Sequence, residues 1–406
     1  MMNNILNESI RPCTGCGACS SACSTNAISI IENNEGFFSP IVDNSKCINC
    51  GSCKRVCYKY SALERYPRTE SCLCYATYSC NNHTHATTTS GGFAYEISRW
   101  GIENGYRIMG VVYDYDSHKA HTIIVDNITE LEKLKGSKYL QSYTEKAFKE
   151  FIDNCKKNPT QKYICIGTPC QIFGLYSLSK IKGVNNKIIY VDLFCHGVPS
   201  YLVWNPYIKG QQSRLGKIKD INFRYKGNGW HNYSIGIVGS KDSYINYAYN
   251  DIFYRYFFDN VALNTSCYTC ALRKDIACCA SDIRIGDFLG AAYENREDGI
   301  SAAIALTDNG KECIENLISN GYIRVVNTHP ISECIKAQST EDYNIINIRH
   351  EVINRLHKNN LLQVKKWYTR QFPRSQRLYL ILKSFATLLP IGTLKRIRRT
   401  IRSIKR

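Results

Sequence analysis

Apolar and polar residues alternate in short runs along most of the chain, and the period changes at identifiable points. Ala27–Ile31 and Gly36–Pro40 read as two short strands with a polar turn over Glu32–Glu35. Tyr58–Thr69 reads as a linker. From residue 86 onward, helical and strand-like stretches take turns. Phe93–Asn104 has helical periodicity and stops at Gly105, and Arg107–Tyr113 is an apolar strand. Ile123–Val125 is a shorter strand, and Glu145–Lys157 is a helix. Tyr163–Ile166 and Lys187–Phe194 are continuous apolar runs of buried-strand length. Alternation of this kind predicts helices packed on a sheet.

Composition changes the picture through cysteine. The chain has 406 residues and 21 cysteines, too long for a small disulfide scaffold, and the odd total would leave one thiol over in a fully paired framework. Met1–Arg11 has no apolar h-region, so no secretory signal is expected and the thiols are expected to stay reduced. Cysteine in that setting points to metal.

The spacing says which metal. Cys13, Cys16, Cys19 and Cys23 follow C-x2-C-x2-C-x3-C, and Cys47, Cys50, Cys53 and Cys57 repeat the run 34 residues later. This is the bacterial two-cluster ferredoxin pattern, in which the fourth cysteine of each run serves the other cluster. One [4Fe–4S] cluster is therefore assigned to Cys13, Cys16, Cys19 and Cys57, and a second to Cys47, Cys50, Cys53 and Cys23. Gly15, Gly17 and Gly51 let the loops wrap closely and aim N–H groups at sulfur. Zinc knuckles also use C-x2-C pairs, but zinc gives no reason to repeat a four-cysteine run with this spacing. Ser24 and Tyr58 stand where such runs usually carry proline, a departure that removes no ligand.

Further cysteines converge if the two buried runs lie parallel in one sheet. Cys170 and Cys195 would then emerge together at its carboxyl edge, where α/β folds place ligands. Cys267 and Cys270 form another C-x2-C pair, and the four together make a candidate third [4Fe–4S] site. The other readings are structural thiols at Cys170 or Cys195, and a zinc clip of Cys267, Cys270, Cys278 and Cys279. Cys72, Cys74 and Cys80 show no ligand pattern. No G-x-G-x-x-G follows a strand and no P-loop occurs. Ser90-Gly91-Gly92, opening a helix, and Gly136-Ser137-Lys138 are candidate anion-binding turns, or an ordinary cap and turn.

Four stretches in order carry a resemblance: Gly136–Tyr139, Gly167–Ile172, Phe194–Ser200 and Ser281–Phe288. Over about residues 70–340 the chain resembles the coenzyme F420 hydrogenase/dehydrogenase beta-subunit family, with the ferredoxin module fused in front. The resemblance implies an iron–sulfur flavoprotein. FAD would take single electrons from the clusters and exchange a hydride with an organic acceptor, which in archaeal members is coenzyme F420. Bacterial members often sit among surface-polysaccharide genes, so an intermediate of that chemistry is a second acceptor class. Carried onto this chain, the FAD-site candidates are Ser90, Gly91, Gly92, Gly136, Ser137, Lys138, Gly167 and Thr168. Cys170, Cys195, Cys267 and Cys270 fit the family's cysteine positions. His196 is the candidate proton donor, and a second-shell role beside the cluster is the other reading for it. Arg224, Lys226, Trp230 and His231 form a basic, aromatic loop that suits an anionic acceptor or a solvated hairpin.

The expected architecture is an α+β ferredoxin-like two-cluster module followed by an α/β flavin-binding body. Residues 1–60 form the ferredoxin domain and 70–160 the N-terminal part of the family region, with the FAD candidates. Residues 161–345 form its C-terminal part and 346–406 a basic, partly apolar tail. The expected function is an iron–sulfur flavin-dependent oxidoreductase, and the alternative is an electron-transfer subunit feeding a separate enzyme. Expected partners are a ferredoxin-like donor or partner redox subunit and the organic hydride acceptor. Net charge is +18, but no acidic residue follows Glu351, and residues 365–406 carry 13 Lys and Arg. With the apolar run Leu378–Leu394, the tail suits an anionic membrane surface better than a spanning helix. The other reading is a helix docked on the protein body. Nucleic acid is not expected as a partner. The expected location is cytoplasmic, peripheral on the inner face of the membrane.

Overall fold

A computed structural model describes residues 3–6, 12–60, 72–336, 338 and 340–386. Most of the Tyr58–Thr69 linker and the part of the basic tail beyond Ala386 lie outside the described residues. The described chain divides into two compact units, one of residues 1–200 with 264–344, the other of 201–263 with 345–406.

The first unit opens with the ferredoxin module. β1 (Ile28–Glu32) and β2 (Phe38–Val42) pair antiparallel, with Ile30 opposite Pro40. Gly17 and Gly51, 34 residues apart, adopt left-handed φ of 79° and 72°. Each caps a short helix, Ala18–Ala22 and Ser52–Arg55. The repeat in sequence is thus a repeat in structure, and glycine is required at both corners because an L side chain is strained there.

The body of this unit is a mixed sheet. Its strands are β3 (Leu73–Ser79), β4 (Tyr106–Asp114), β5 (Lys119–Val125), β6 (Ser142–Tyr143), β7 (Lys162–Gly167) and β8 (Ile188–Leu193). After three strands of the second unit, β9 to β11 within residues 218–247, come β12 (Ile283–Asp287), β13 (Ser301–Ala305) and β14 (Ile323–Pro330). Among the described residues the order is β14-β3-β13-β12-β8-β7-β4-β5-β6. β7 lies parallel to β8, with Tyr163 opposite Ile188, and β4 and β12 continue the parallel set on either side. β13 is antiparallel to both β12 and β3, so β3 runs the same way as the parallel set.

The apolar runs around Ile164 and Ile189 are continuous because both faces of these strands are covered. Ile108, Ile164, Val191 and Ile283 are fully buried with Ile97 of the helix Phe93–Glu103. β5 starts four residues before the Ile123–Val125 strand expected from sequence. Lys119–Thr122 lack an apolar run, and pairing with β4 makes them a strand. None of the 21 cysteines is paired in a disulfide. Cys74, Cys155, Cys165, Cys313 and Cys334 are buried as small apolar side chains.

In the second unit, β9 (Ile218–Tyr225), β10 (Ser234–Gly239) and β11 (Ser243–Tyr247) form an antiparallel sheet in the order β11-β10-β9. Trp204, Phe223, Phe253 and Tyr254 fill its core. The basic, aromatic loop is no solvated hairpin. Arg224 is buried with its guanidinium 4.0 Å above the Tyr233 ring, and Trp230 is buried. Among the described residues no helix is long and apolar enough to cross a membrane.

Candidate redox site

The thiols of the two cysteine runs lie close to one another in two neighbourhoods. Cys16 lies within electrostatic reach of Cys57 and Cys13, and Cys19 of Cys16, Cys13 and Cys57. Cys23 is instead close to Cys50. Desolvation dominates the first set, pushing Cys16 up to about 12 and Cys57 up to about 11. In the second set Cys50 is exposed and Cys23 half-buried, while Cys53 is buried. The Ser52 hydroxyl lowers Cys50. At Cys23, burial is outweighed by the Thr25 hydroxyl and nearby amides. The Gly15 N–H donates to Cys13 Sγ at 3.3 Å, as the close-wrapping loop requires.

Residues the sequence reading passed over fix this module to the sheet. The Gln141 amide donates to Thr14 O at 2.9 Å, and its oxygen accepts from Phe38 N at 2.6 Å. Thr144 Oγ1 donates to Cys16 O at 2.8 Å, and the Glu145 carboxylate accepts from Ile30 N at 3.0 Å. Tyr58, which stands where proline is usual, is buried and packs edge-on against Phe173, ring centroids 5.8 Å apart. Its hydroxyl is buried and finds no hydrogen-bond partner among the described residues.

At the carboxyl end of β7, Thr168 opens the helix Pro169–Ile181, and its N–H donates to Gln171 Oε1 at 3.2 Å. Proline in the first turn suits that start. Cys170 therefore sits in the first turn, and Cys195 follows β8, its parallel neighbour. Both line one pocket together with Cys267 and Cys270. Burial and mutual repulsion push Cys170 and Cys267 up to about 12 and Cys195 well above its ordinary range. Three buried thiols so placed ionise together only when a counter-charge such as a metal takes up their charge.

Arg273, also on the pocket wall, donates to Cys267 O at 2.7 Å and His196 O at 3.2 Å. Its buried Nε has no partner among the described residues. A buried guanidinium beside four cysteines is the charge complement that an anionic cluster needs, so this donor set fits a [4Fe–4S] group. Among the described residues no three His, Cys, Asp or Glu side chains close around a single ion. A four-iron cube spreads its thiolates over four corners, so it does not require that closure. Cys279, a member of the zinc-clip reading, is buried with its thiol on Arg284 Nη2 at 2.5 Å.

This pocket adjoins the ferredoxin thiols. Thr14 lines the pocket with Cys170, and its hydroxyl lowers both Cys16 and Cys170 against the larger effect of burial. Gly174, one turn beyond Cys170, leaves room for Cys16, because a Cβ there would meet Cys16 Sγ at 3.2 Å and Ala18 Cβ at 2.9 Å.

The flavin candidates fall in two places. Gly167 and Thr168 border Cys170, whose Sγ is 3.3 Å from Thr168 Oγ1. The loops at 89–92 and 136–138 meet each other, with Ser137 N donating to Thr89 Oγ1 at 3.1 Å. Their donors are engaged within the chain. Ser90 Oγ donates to Ile300 O at 2.6 Å and Gly91 N to Ser301 Oγ at 3.0 Å. Lys138 Nζ reaches the carbonyls of Leu134 and Lys135 at 2.8 and 2.9 Å, capping the helix Ile128–Leu134. Gly91 is glycine because a Cβ would strike Thr77 O at 2.2 Å. Gly92 and Gly136 take left-handed φ of 89° and 79°. A phosphate bound here would compete with these internal bonds. His196 packs against Tyr343, ring centroids 5.3 Å apart and tilted by 37°, and its carbonyl accepts from the Tyr343 hydroxyl at 2.9 Å.

Residues 12–60 match the family model of the 4Fe-4S dicluster domain. Residues 160–331 match that of the C terminus of the coenzyme F420 hydrogenase/dehydrogenase beta subunit. No curated protein matches the chain. Among solved structures, a chain of the F420-reducing [NiFe] hydrogenase complex from Methanosarcina barkeri, in a xenon derivative, is similar at 14% identity. The match covers 72% of this chain and 92% of that one, with a TM-score of 0.45.

Proposed function

For a chain that joins a 4Fe-4S dicluster domain to the C-terminal region of the coenzyme F420 hydrogenase/dehydrogenase beta subunits, we propose an iron–sulfur flavoprotein oxidoreductase. It passes electrons between a ferredoxin-like donor or partner redox subunit and FAD, with hydride exchange to an organic acceptor. That acceptor is a coenzyme F420-like deazaflavin or an intermediate of polysaccharide synthesis. The observation that carries this reading is the contact of the two thiol sets through Thr14 and Gly174, which makes the module and the sheet edge one conduit.

Cys13, Cys16, Cys19 and Cys57 hold the cluster nearer the sheet, and Cys23, Cys47, Cys50 and Cys53 hold the outer one. Cys170, Cys195, Cys267 and Cys270 hold a third, with Arg273 offsetting its negative charge. Gly167 and Thr168 keep the end of β7 open beside Cys170, and Ser90, Gly91, Gly92, Gly136, Ser137 and Lys138 shape the companion loops. A bound flavin would supply the change between one-electron and two-electron transfer. His196, held by Tyr343, is the proton-carrying side chain of this reading. The protein works in the cytoplasm, where thiolate ligands stay reduced, at the inner face of the membrane through its basic C-terminal segment.

A second reading, an electron-transfer subunit without its own reaction, is favoured by the internal engagement of Ser90, Gly91 and Lys138. Anaerobic purification with iron, sulfide and flavin quantification separates the two. We expect about 12 iron atoms and one FAD per chain, with turnover of a diffusible acceptor. About 8 iron atoms would remove the third cluster. Clusters without flavin would leave the carrier reading.

A further inference from the structure

The helix Arg374–Ala386 carries its apolar residues on the wrong side for a helix surrounded by water. Leu378, Ile381, Leu382 and Phe385 follow the spacing of one helix face, and they are 58%, 52%, 59% and 64% exposed. The half-buried positions are Arg377, Leu380 and Ser384, and Ser384 hydrogen-bonds Asn250 of the same unit. A surface helix of a globular protein ordinarily buries the first set and exposes the second. Four large apolar side chains on one exposed stripe call for a cover.

Charge selects that cover. No acidic residue follows Glu351, and 13 Lys and Arg lie between residues 365 and 406. A second copy of the chain would bring two such positive segments together. A nucleic acid would neutralise the charge but leave the apolar stripe in water. An anionic bilayer satisfies both features, with headgroups facing the cations and acyl chains facing the stripe.

We propose that the face formed by Leu378, Ile381, Leu382 and Phe385 inserts into the interfacial layer of an anionic lipid bilayer and is the element that seats the protein there. This rests on the membrane placement given above and is independent of the redox chemistry.

The test is flotation of the full chain with vesicles of phosphatidylcholine alone and of phosphatidylcholine mixed with phosphatidylserine. The wild-type chain should float with the mixed vesicles, float little with the neutral ones, and lose binding as salt rises. Leu382→Glu combined with Phe385→Glu should weaken apparent vesicle affinity at least about tenfold. Both positions are exposed, so circular dichroism and iron content should match wild type. Phe385→Trp gives a second readout that does not depend on the charged variant, a blue-shifted emission on mixed vesicles.

Wild-type binding that survives the double substitution, or a tryptophan without a shift, would overturn the proposal while leaving the basic segment as the anchor. Absence of wild-type flotation would remove both. A stable dimer that the double substitution turns into monomer would assign the stripe to a second copy and overturn the proposal as well.

Discussion

Arg284 and Asp192 show how single residues hold the edge of the sheet on which the chemistry depends. Arg284 Nε and Nη2 each meet an Asp192 oxygen at 2.7 Å, and both side chains are almost wholly buried. Burial opposes the guanidinium charge, but Asp192 outweighs it and raises Arg284 above its ordinary value. Removing one partner leaves the other charge unpaired in the core. Asp192→Ala should therefore lower stability by about 3–5 kcal/mol in chemical denaturation. Asp192→Asn, which keeps the shape, should lose less.

Glu145 acts on the other side of the site. Burial opposes its ionisation, yet Lys149, the Ile30 amide and the Tyr143 hydroxyl prevail and hold its carboxyl below the ordinary 4.5. A lowered folded value stabilises at pH above the unfolded one, and the contribution is lost as pH falls through the folded value. Wild type should exceed Glu145→Gln by about 1–2 kcal/mol at neutral pH. That gap should close below about pH 4 when denaturation midpoints are compared.

At the scale of elements, the helix Pro169–Ile181 does two jobs, presenting Cys170 in its first turn and admitting the ferredoxin module at Gly174. Gly174→Leu should cost about 1–3 kcal/mol in stability through overpacking against Ala18 and Cys16. On the proposed third cluster, it should also slow reduction of that cluster in stopped-flow mixing with a one-electron donor, while iron content stays unchanged. Such elements were readable in the sequence where their signal is local. The β1–β2 hairpin, the helix Glu145–Lys157 and the parallel strands β7 and β8 follow from period and composition, and the cysteine runs from spacing alone.

What escaped reading is the non-local part. Thr14, Tyr58 and Gly174 matter only because residues more than a hundred positions apart meet, and Arg273 because it reaches His196, 77 positions away. Nothing in the immediate neighbourhood of any one of them announces that meeting. The clearest clue available was Tyr58 at a proline position, which the fold explains as a ring wedged on Phe173. A glycine inside an otherwise apolar helix, at Gly174, was a second. Arg224 misled for the opposite reason, since a charged residue in a loop-like sequence became a buried side chain under an aromatic ring.

For the whole molecule, charge and cysteine both divide by place. Of the net +18, residues 365–406 hold +13. The remaining 364 residues are close to balance, so electrostatic attraction is a property of one end. Cysteine divides into eight ferredoxin positions, four around the pocket and nine elsewhere, most of these nine packed as core. On the proposed third cluster, Cys267→Ser should lower iron from about 12 to about 8 atoms per chain without changing the ferredoxin content. Low-temperature paramagnetic resonance of the reduced protein would check that two clusters remain.

The clasp of Gln141 and Thr144 on the Cys13–Cys19 loop, with Glu145 on the neighbouring β1, also bears on how the protein is made. Once those three bonds form, Cys16 and Cys19 face the helix Pro169–Ile181 and a delivery protein has little room to reach them. Cys50 is exposed and Cys47 half-buried, so both stay reachable. On the proposed cluster assignment, the set of Cys13, Cys16, Cys19 and Cys57 is expected to be filled before the module docks, and the set of Cys23, Cys47, Cys50 and Cys53 to stay open to exchange.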